Sequence, residues 1–280
     1  MNAQPTPRTL GYRWPAEWEP HTATWIAWPH NADTWPGRFD PIPARFAEIV
    51  RLLARFEPVR VLAGGQAVMR QATEAVGDLN NVTLYDIPTN DAWVRDDGPT
   101  FLVGTDSQPV AAIDWQFNSW GGKYPPWDRD DAVTGQITEQ LGIHRFATSV
   151  VVEGGSIDGN GLGTILTSES CLLDPQRNAG VNRRQVEDLL GRYCGATEVI
   201  WIAGGPVAGD DTDGHIDQLA RFVSEHQIVI AVEHDPQDEN YQPLLTNLHM
   251  LQQYRDQRAQ PLEIIPLPMP SPVYFDQQRA

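Results

Sequence analysis

The predicted secondary-structure elements recur in one order along the chain, and this recurrence limits the fold more than any other feature of the sequence. Each cycle reads as two strands, a helix and another strand, and the cycles are spaced by roughly sixty residues. Asp96, Glu153 and His215 each precede the first strand of a cycle. If the cycles are ββαβ units arranged around an axis, these three side chains converge on one central site. The alternative is an ordinary mixed α/β domain in which the spacing is coincidental.

The hydrophobic periodicity predicts the bounds of these elements. Strands are predicted over residues 24–28, 59–63, 82–87, 100–103, 110–113, 149–152, 162–167, 171–173, 198–202, 219–223, 228–232 and 262–266, and helices over residues 46–56, 66–76, 130–141, 181–193 and 241–257. The apolar face of the first helix is predicted to contain Phe46, Ile49, Val50, Leu53 and Phe56. Strands 162–167 and 171–173 are expected to pair as a hairpin.

The excess of acidic residues indicates which kinds of molecule the protein can bind. The chain has 280 residues, with 37 acidic and 20 basic side chains and a formal net charge of −17. Such a surface repels nucleic-acid phosphates and concentrates small cations, so a cationic substrate is favoured over nucleic acid. No apolar run approaches the roughly eighteen residues needed to span a bilayer, and residues 1–11 lack the apolar region of a secretion signal. We therefore expect a cytoplasmic protein without a membrane partner.

One histidine stands among several aspartates between residues 209 and 217. If the chain is extended there, Asp211, Asp213, His215 and Asp217 share one face and could bind manganese or magnesium. In a second interpretation, His215 is a general acid and base while Asp217 binds a cationic substrate. The residues of this segment alone leave both interpretations open.

Two further segments carry candidate chemistry. Asp96 could accept two N–H bonds from a planar guanidinium while Trp93 stacks beside it, although an Arg95–Asp97 surface pair would explain the same residues. Glu153 ends an apolar run and is followed by two glycines, which permit a close approach of the backbone to a ligand. A plain turn is the alternative for that segment.

Four ordered blocks of the sequence resemble the agmatine deiminase family, which includes the Porphyromonas-type peptidylarginine deiminases of the guanidino-group modifying superfamily. The blocks are W-P-A-E-W-E-P-H at residues 14–21, W-V-R-D-D-G-P at residues 93–99, E-G-G-S at residues 153–156 and D-D-T-D-G-H-I-D at residues 210–217. The resemblance implies the pentein fold, an α/β propeller of five ββαβ units. It also implies hydrolysis of a guanidinium to a ureido group and ammonia, with no metal or organic cofactor.

The resemblance also implies a role for each matched residue. Asp96 and Asp217 would bind the guanidinium nitrogens from two sides, and His215 would move protons to the departing ammonia and from the attacking water. Glu153 would hold His215 in its working orientation. At the substrate, Trp93 would pack on the flat face and Asp211 would be a supporting acid.

The family's nucleophile is a cysteine that follows a glycine-rich G-G-x-H-C motif, and this sequence contains no such motif. Its two cysteines, Cys171 and Cys194, do not match the position of the nucleophile and are interpreted as structural. We therefore expect residues 1–280 to form a single deiminase domain with about four of five units present, truncated at the C-terminus and inactive alone. The other hypothesis is a non-catalytic relic that binds guanidinium compounds or polyamines.

The resemblance leaves the substrate and the assembly state open. Agmatine deiminases convert agmatine and water to N-carbamoylputrescine and ammonia in putrescine biosynthesis, whereas peptidylarginine deiminases act on arginine within peptides. No motif in this sequence separates these two activities. A homo-oligomer is also compatible with the sequence, because an incomplete ring of units would leave strand edges and apolar faces exposed.

Overall fold

The chain has a mixed α/β fold built from small sheets, as seen in a computed structural model that describes residues 5–105, 108–275 and 278–279. The strands are β1 (Thr24–Ala27), β2 (Val59–Leu62), β3 (Val82–Tyr85), β4 (Thr100–Leu102), β5 (Ala111–Gln116), β6 (His144–Val151), β7 (Ile157–Gly159), β8 (Thr164–Ser168), β9 (Glu198–Ile202), β10 (Ala220–Phe222), β11 (Gln227–Val232), β12 (Glu263–Pro268), β13 (Tyr274–Phe275) and β14 (Gln278–Arg279).

The helices connect these strands or stand just before them. The α-helices are α1 (Ile42–Leu53), α2 (Gln66–Val76), α3 (Val94–Asp97), α4 (Ser119–Gly122), α5 (Asp128–Asp131), α6 (Val133–Leu141), α7 (Glu169–Leu172), α8 (Arg183–Tyr193), α9 (Ile216–Leu219) and α10 (Tyr241–Leu251), and 3-10 turns cover Arg8–Leu10, Ala32–Thr34 and Gly154–Ser156. The start of α8 is fixed by a capping box, in which Asn182 and Gln185 each accept from the other's backbone N–H.

Three of the sheets share one order of pairing. In β4-β5-β6, β7-β8-β9 and β10-β11-β12, the first two strands are antiparallel and the third is parallel to the second. A parallel neighbour requires a crossover connection, and α6, α8 and α10 supply it in the three sheets. The sheet β1-β2-β3 is parallel throughout, with α1 and α2 as its crossovers.

Strand β8 is buried on both faces and joins two hydrophobic clusters. Ile165 packs in one cluster with Ile113 and Trp201, whereas its neighbour Leu166 packs in the other with Ile230. Successive side chains of a strand point to opposite faces, so this division follows from the pleat. Because both faces are covered, the hydroxyl residues Thr164, Thr167 and Ser168 are buried along with the two apolar ones.

Two details of the predicted elements are wrong. Residues 171–173 do not form a strand: Cys171 lies in the helical turn α7, and the antiparallel partner of β8 is β7. Helix α1 ends at Leu53, so Phe56 lies beyond it and is 78% exposed, and Ile49 is exposed as well. Val50 is buried as predicted, Phe46 and Leu53 pack partly buried against the same cluster, and Pro43 and Ala47 complete the buried face.

Three short turns bring polar residues to one place. Each turn stands directly before the first strand of a sheet: α3 before β4, the Gly154–Ser156 turn before β7, and α9 before β10. Both α3 and α9 contact the Gly154–Ser156 turn. Asp96 lies in α3, and Glu153 and His215 are the residues that precede the other two turns. Within the part of the chain that the structure describes, no helix combines the length and apolar composition that a membrane crossing requires.

An exposed apolar segment follows the edge of the third of these sheets. It comprises Ile265, Leu267, Val273 and Tyr274, of which the last three are 59%, 65% and 62% exposed. Pro266 and Pro268 remove two N–H donors from strand β12, so pairing through its backbone is disfavoured. Side-chain contact is the remaining way for this segment to bury apolar surface.

We expect the purified chain to self-associate through the exposed apolar segment, and Leu267→Lys to weaken that association by placing a charge in the contact. Sedimentation velocity over a concentration series measures both effects. Phe56→Lys is the control, because Phe56 is also exposed but does not belong to this segment. A chain that sediments as a monomer at every concentration, or equal effects of the two variants, would contradict this expectation.

Candidate functional site

A cavity of about 1260 Å³ opens beside the three turns. Its lining includes the side chains of Trp93, Asp96, Trp120, Asp211, His215 and Asp217. All these lining residues except Trp120 belong to the sequence motifs singled out above. Glu153 does not reach the cavity; it lies behind His215 and is fully buried.

Asp96 is held by two N–H donors. Its Oδ1 accepts from the backbone N–H of Gly155 at 2.8 Å, and its Oδ2 accepts from Nε1 of Trp120 at 3.0 Å. Burial raises the pKa of Asp96, and the carboxylates of Glu153 and Asp217 raise it further, while His215 and the Gly155 N–H act against them. The carboxylate therefore has a fixed direction and a charge that a cationic partner would stabilise.

Gly155 sets the distance between the acidic side chains. A Cβ atom there would lie 2.5 Å from His215 Nδ1, 2.6 Å from Asp96 Oδ1 and 2.8 Å from Asp217 Oδ2. No side chain fits at such distances, so glycine is required for these three groups to meet. This close approach explains the second glycine of the E-G-G-S block in physical terms.

A buried ion pair fixes Glu153. Arg177 Nε donates to Glu153 Oε1 at 2.8 Å, and neither side chain is exposed to solvent. Burial acts to raise the pKa of Glu153, but His215 and Arg177 outweigh it, so the pKa of Glu153 is lowered and the group stays ionised. The same guanidinium also donates to Asp174, to Asp213 and to the carbonyl of Thr212. Arg177 thus ties Glu153 to the loop that carries His215.

His215 lies between two carboxylates. Its Nδ1 is 3.6 Å from Asp96 Oδ1, and its Nε2 is 3.9 Å from Glu153 Oε2, which is longer than a hydrogen bond. Burial acts to lower the pKa of His215, but Glu153, Asp96 and Asp217 together raise it. A raised pKa favours the protonated imidazole, which can deliver a proton to a group in the cavity.

Asp217 lies in α9 and lines the cavity. Its Oδ2 is 3.6 Å from Arg95 Nε, and Arg95 also pairs with Glu17. The alternative of an Arg95–Asp97 surface pair is therefore wrong: Asp97 is buried, and neither of its carboxylate oxygens has a partner among the described residues.

The remaining predicted residues lie at the rim of the cavity. Trp93 is 40% exposed and packs against Trp35, with ring centroids 5.9 Å apart. Asp211 is exposed and accepts from the Tyr124 hydroxyl at 3.1 Å. Asp213 has a left-handed backbone with φ of 65° and pairs with Lys123 and Arg177. The predicted extended row of metal ligands is therefore wrong, because this backbone turns Asp213 away from Asp211 and His215.

Neither cysteine lines the described cavity. Cys171 and Cys194 are both buried. Burial raises the pKa of the Cys171 thiol, and Glu153 raises it further; burial alone raises that of Cys194. A buried thiol with a raised pKa is a poor nucleophile, because the thiolate is the attacking form. Cys171 nevertheless lies close to the site, with its Sγ 3.8 Å from Glu153 Oε2.

Sequence reasoning missed Arg177, Trp120 and the position of Cys171. The signal for Arg177 was indirect: a carboxylate directly after the apolar run at residues 150–152 needs a counter-charge if it is buried. Nothing in the sequence indicated which arginine would supply it. Trp120 reaches Asp96 from a turn with left-handed backbone at residues 119–122, which propensity does not predict.

Comparison with known proteins gives one consistent family. Residues 13–280 match the family described as Porphyromonas-type peptidyl-arginine deiminase. The chain is 39% identical over 282 residues to an agmatine deiminase of Pseudomonas aeruginosa, covering 99% of this chain and 76% of that protein. It is 38% identical to the agmatine deiminase of Stutzerimonas stutzeri, covering 96% of this chain and 73% of that protein.

Solved structures agree with the sequence comparison. The agmatine deiminase of Enterococcus faecalis superposes with a TM-score of 0.89 at 31% identity, covering 95% of this chain and 73% of that one. A cysteine-to-serine variant of the C. jejuni agmatine deiminase with substrate bound superposes with a TM-score of 0.85 at 31% identity, covering 96% and 77%. The chain thus spans about three quarters of the length of these relatives.

Replacing Arg177 tests the buried ion pair. We expect Arg177→Met to lower the free energy of unfolding at pH 7 by about 3–5 kcal/mol, because Glu153 is left buried without its counter-charge. The pKa of Glu153 is lowered in the folded state, so its contribution is present above the unfolded pKa of 4.5 and is lost as the pH falls through the folded value. The loss caused by the variant should therefore shrink on acidification.

Urea unfolding at several pH values measures this loss. Arg45→Met is the control, because Arg45 and Glu48 form an exposed pair whose removal should cost at most about 1 kcal/mol. Equal losses in the two variants would contradict the expectation.

Asp97→Asn tests the unpartnered carboxyl. Burial raises the pKa of Asp97 well above its usual range, and Asp130, whose own pKa is raised to about 6, adds to the effect. The stability linked to the Asp97 proton is present below the unfolded pKa of 3.8 and is lost as the pH rises through the folded value. Because asparagine cannot ionise, the variant should gain stability relative to the parent as the pH rises from about 4 to 8, by at least about 1.4 kcal/mol.

The new amide can change the free energy of unfolding by an amount that is the same at every pH. The decisive measurement is therefore how the difference between Asp97→Asn and the parent protein changes with pH. Urea unfolding of both proteins provides it. Asp40→Asn, at an exposed aspartate, should show no such trend. A difference in the free energy of unfolding that does not change with pH would contradict the raised pKa of Asp97.

Proposed function

Because the chain belongs to the Porphyromonas-type peptidyl-arginine deiminase family, we propose that it is a guanidinium hydrolase of the agmatine deiminase type. Such a hydrolase acts on the C–N bonds of linear amidines, and agmatine is the substrate named for the relatives described above. On this proposal agmatine and water give N-carbamoylputrescine and ammonia.

The observation that carries the proposal is the arrangement of Asp96, His215 and Asp217 around one glycine. Two carboxylates facing one cavity can each accept N–H bonds from a planar guanidinium, a geometry that charge assistance strengthens. The excess of acidic residues lowers the electrostatic energy of a cation that enters. Trp93 at the rim supplies an aromatic face on which a guanidinium can stack.

The roles of the buried residues follow from their charges. His215 gives a proton to the departing nitrogen as ammonia leaves, and later takes one from the attacking water. Glu153, kept ionised by Arg177, stabilises the protonated imidazole and limits its rotation. Asp96 and Asp217 hold the substrate, and Asp211 is a supporting acid at the rim.

We further propose that these 280 residues bind substrate without turning it over. In the family chemistry a thiolate attacks the guanidinium carbon, the C–N bond to ammonia breaks, and water then releases the thiolate from the carbon. The two cysteines of this chain are buried and have raised thiol pKa values, which supports the absence of an attacking thiolate. The C. jejuni variant with substrate bound supports the view that binding survives loss of a cysteine in that relative.

Narrower proposals accompany this one. Residues 1–280 are proposed to form a single deiminase domain with the pentein arrangement of ββαβ units. The common pairing order of three sheets supports this view. The protein is proposed to be cytoplasmic, to need no cofactor, to bind neither nucleic acid nor membrane, and to serve putrescine biosynthesis.

Two other functions remain as alternatives. A peptidylarginine deiminase is favoured by the family description itself, and a non-catalytic guanidinium or polyamine binder is favoured by the burial of both thiols. Agmatine and a blocked arginine peptide distinguish the first alternative, because only one of them should bind tightly. Putrescine, which lacks the guanidinium, distinguishes a polyamine binder.

We expect purified protein to bind agmatine in calorimetry and to release no ammonia or ureido product above background. Asp96→Asn and Asp217→Asn should each weaken binding by about tenfold or more, because each removes a charged acceptor. Asp40→Asn, at an exposed aspartate, should leave binding unchanged. Turnover above background would refute the proposed inactivity, and loss of that turnover in Cys171→Ala would identify a substitute nucleophile.

A further inference from the structure

Glu153, Cys171 and His215 form a buried cluster of three different donor types, and we propose that this cluster is a zinc-binding site. One ligand atom of each residue lies within 4.8 Å of the other two. Sulfur, nitrogen and oxygen donors together suit zinc better than magnesium or calcium, which prefer oxygen alone. The Asp/His row considered from the sequence shares only His215 with this cluster, so the sequence did not indicate Glu153 or Cys171 as metal ligands.

The distances require only small movements for coordination. Cys171 Sγ is 3.8 Å and His215 Nε2 is 3.9 Å from Glu153 Oε2. A tetrahedral zinc ion, with bonds of about 2.3 Å to sulfur and about 2.1 Å to nitrogen and oxygen, separates its ligand atoms by about 3.4–3.6 Å. Contractions of a few tenths of an ångström bring the two distances to Glu153 Oε2 into this range, and the third, between Cys171 Sγ and His215 Nε2, starts from no more than 4.8 Å.

An unsatisfied nitrogen points to a ligand at this place. Among the described residues, the Nε2 atom of His215 has no hydrogen-bond partner. The atom is also buried, because the residue is only 1% exposed. A buried polar atom without a partner costs about 1–3 kcal/mol. A zinc ion bound to Nε2 would remove that cost and would also bind the Glu153 oxygen that accepts from the Cys171 thiol.

The neighbours of the cluster are placed as outer supports of a metal site. Arg177 occupies only Oε1 of Glu153, which leaves Oε2 for the metal. Asp96 Oδ1 lies 3.6 Å from the other ring nitrogen of His215, as in the carboxylate–histidine–zinc arrangement. Arg177 is a cation near the site, but Glu153, Asp96 and a Cys171 thiolate together outweigh its charge.

The cavity lies next to the cluster, because His215 lines it. Glu153 and Cys171 do not line the cavity, so a zinc ion held by His215 Nε2 would lie behind the imidazole, with three protein ligands and one open position. On coordination the S–H bond of Cys171 breaks, its proton leaves to solvent and the Zn–S bond forms. No oxidant or reductant takes part.

Zinc at this cluster would withdraw His215 from proton transfer, a consequence that rests on the proposed function. Zinc would also place two positive charges beside Asp96, so a guanidinium compound should bind more weakly to the zinc-loaded protein. The zinc site itself is tested without any guanidinium compound, so its failure and that of the proposed function are distinguishable.

The test is calorimetric titration of chelator-treated full chain with zinc chloride, together with the absorption spectrum of the cobalt-substituted protein. We expect one zinc per chain and a thiolate-to-cobalt charge-transfer band. Cys171→Ser should abolish the band and weaken zinc binding by at least about tenfold. Cys194→Ser, which changes the other buried thiol, should alter neither measurement.

The outcomes are decisive even if Cys171→Ser fails to fold, which near-ultraviolet circular dichroism would reveal. In that case the absorption spectrum of the cobalt-substituted parent protein decides the question, and it is compared with the spectrum of Cys194→Ser. A cobalt complex without a thiolate band, a band that depends on Cys194, or zinc affinity unchanged in Cys171→Ser would each overturn the proposal.

Discussion

Arg177 and Glu153 meet at a depth where neither side chain touches solvent, and the geometry of the site depends on that contact. Two isolated charges would be strongly unfavourable there, and only their pairing, with further hydrogen bonds around the guanidinium, makes the burial tolerable. Because Arg177 also holds Asp174, Asp213 and the Thr212 carbonyl, one cation joins two loops to the end of strand β6. The position of His215 follows from this connection.

The carboxyl groups in and near the site differ in pKa because their neighbours differ. The pKa of Glu153 is lowered since it has a permanent cation beside it, whereas burial raises the pKa of Asp97, whose carboxyl oxygens have no partner among the described residues. Asp96 lies between these extremes, with two N–H donors and a histidine but also two nearby carboxylates. Neighbouring carboxyl groups in one small volume therefore have distinct properties, and these come from their contacts rather than from residue type.

The sequence predicted much of the fold because hydrophobic periodicity is a local signal. Helix α2 and strand β9 have the predicted bounds, and the polar residues expected before successive strands do precede β4, β7 and β10. The error at residues 171–173 has a simple cause: Cys-Leu-Leu is as compatible with a buried helical turn as with a strand, and periodicity cannot decide over so few residues. The motifs and their spacing predicted that Asp96, Glu153, His215 and Asp217 lie close together. The roles of these residues are proposals. Arg177 and Trp120 were missed because their partners are set by tertiary contacts between distant segments.

The site already contains one guanidinium group, that of Arg177, fully hydrogen-bonded behind the cavity. In front of it, Asp96 and Asp217 present carboxylate oxygens to the cavity. Guanidinium chloride is therefore an ambiguous denaturant for this protein: at low concentration its cation can occupy the carboxylates as a ligand and favour the folded state, and only at higher concentration does it act as a solvent that unfolds the chain. Unfolding curves in this salt would misstate the stability of the fold, whereas an uncharged denaturant would not.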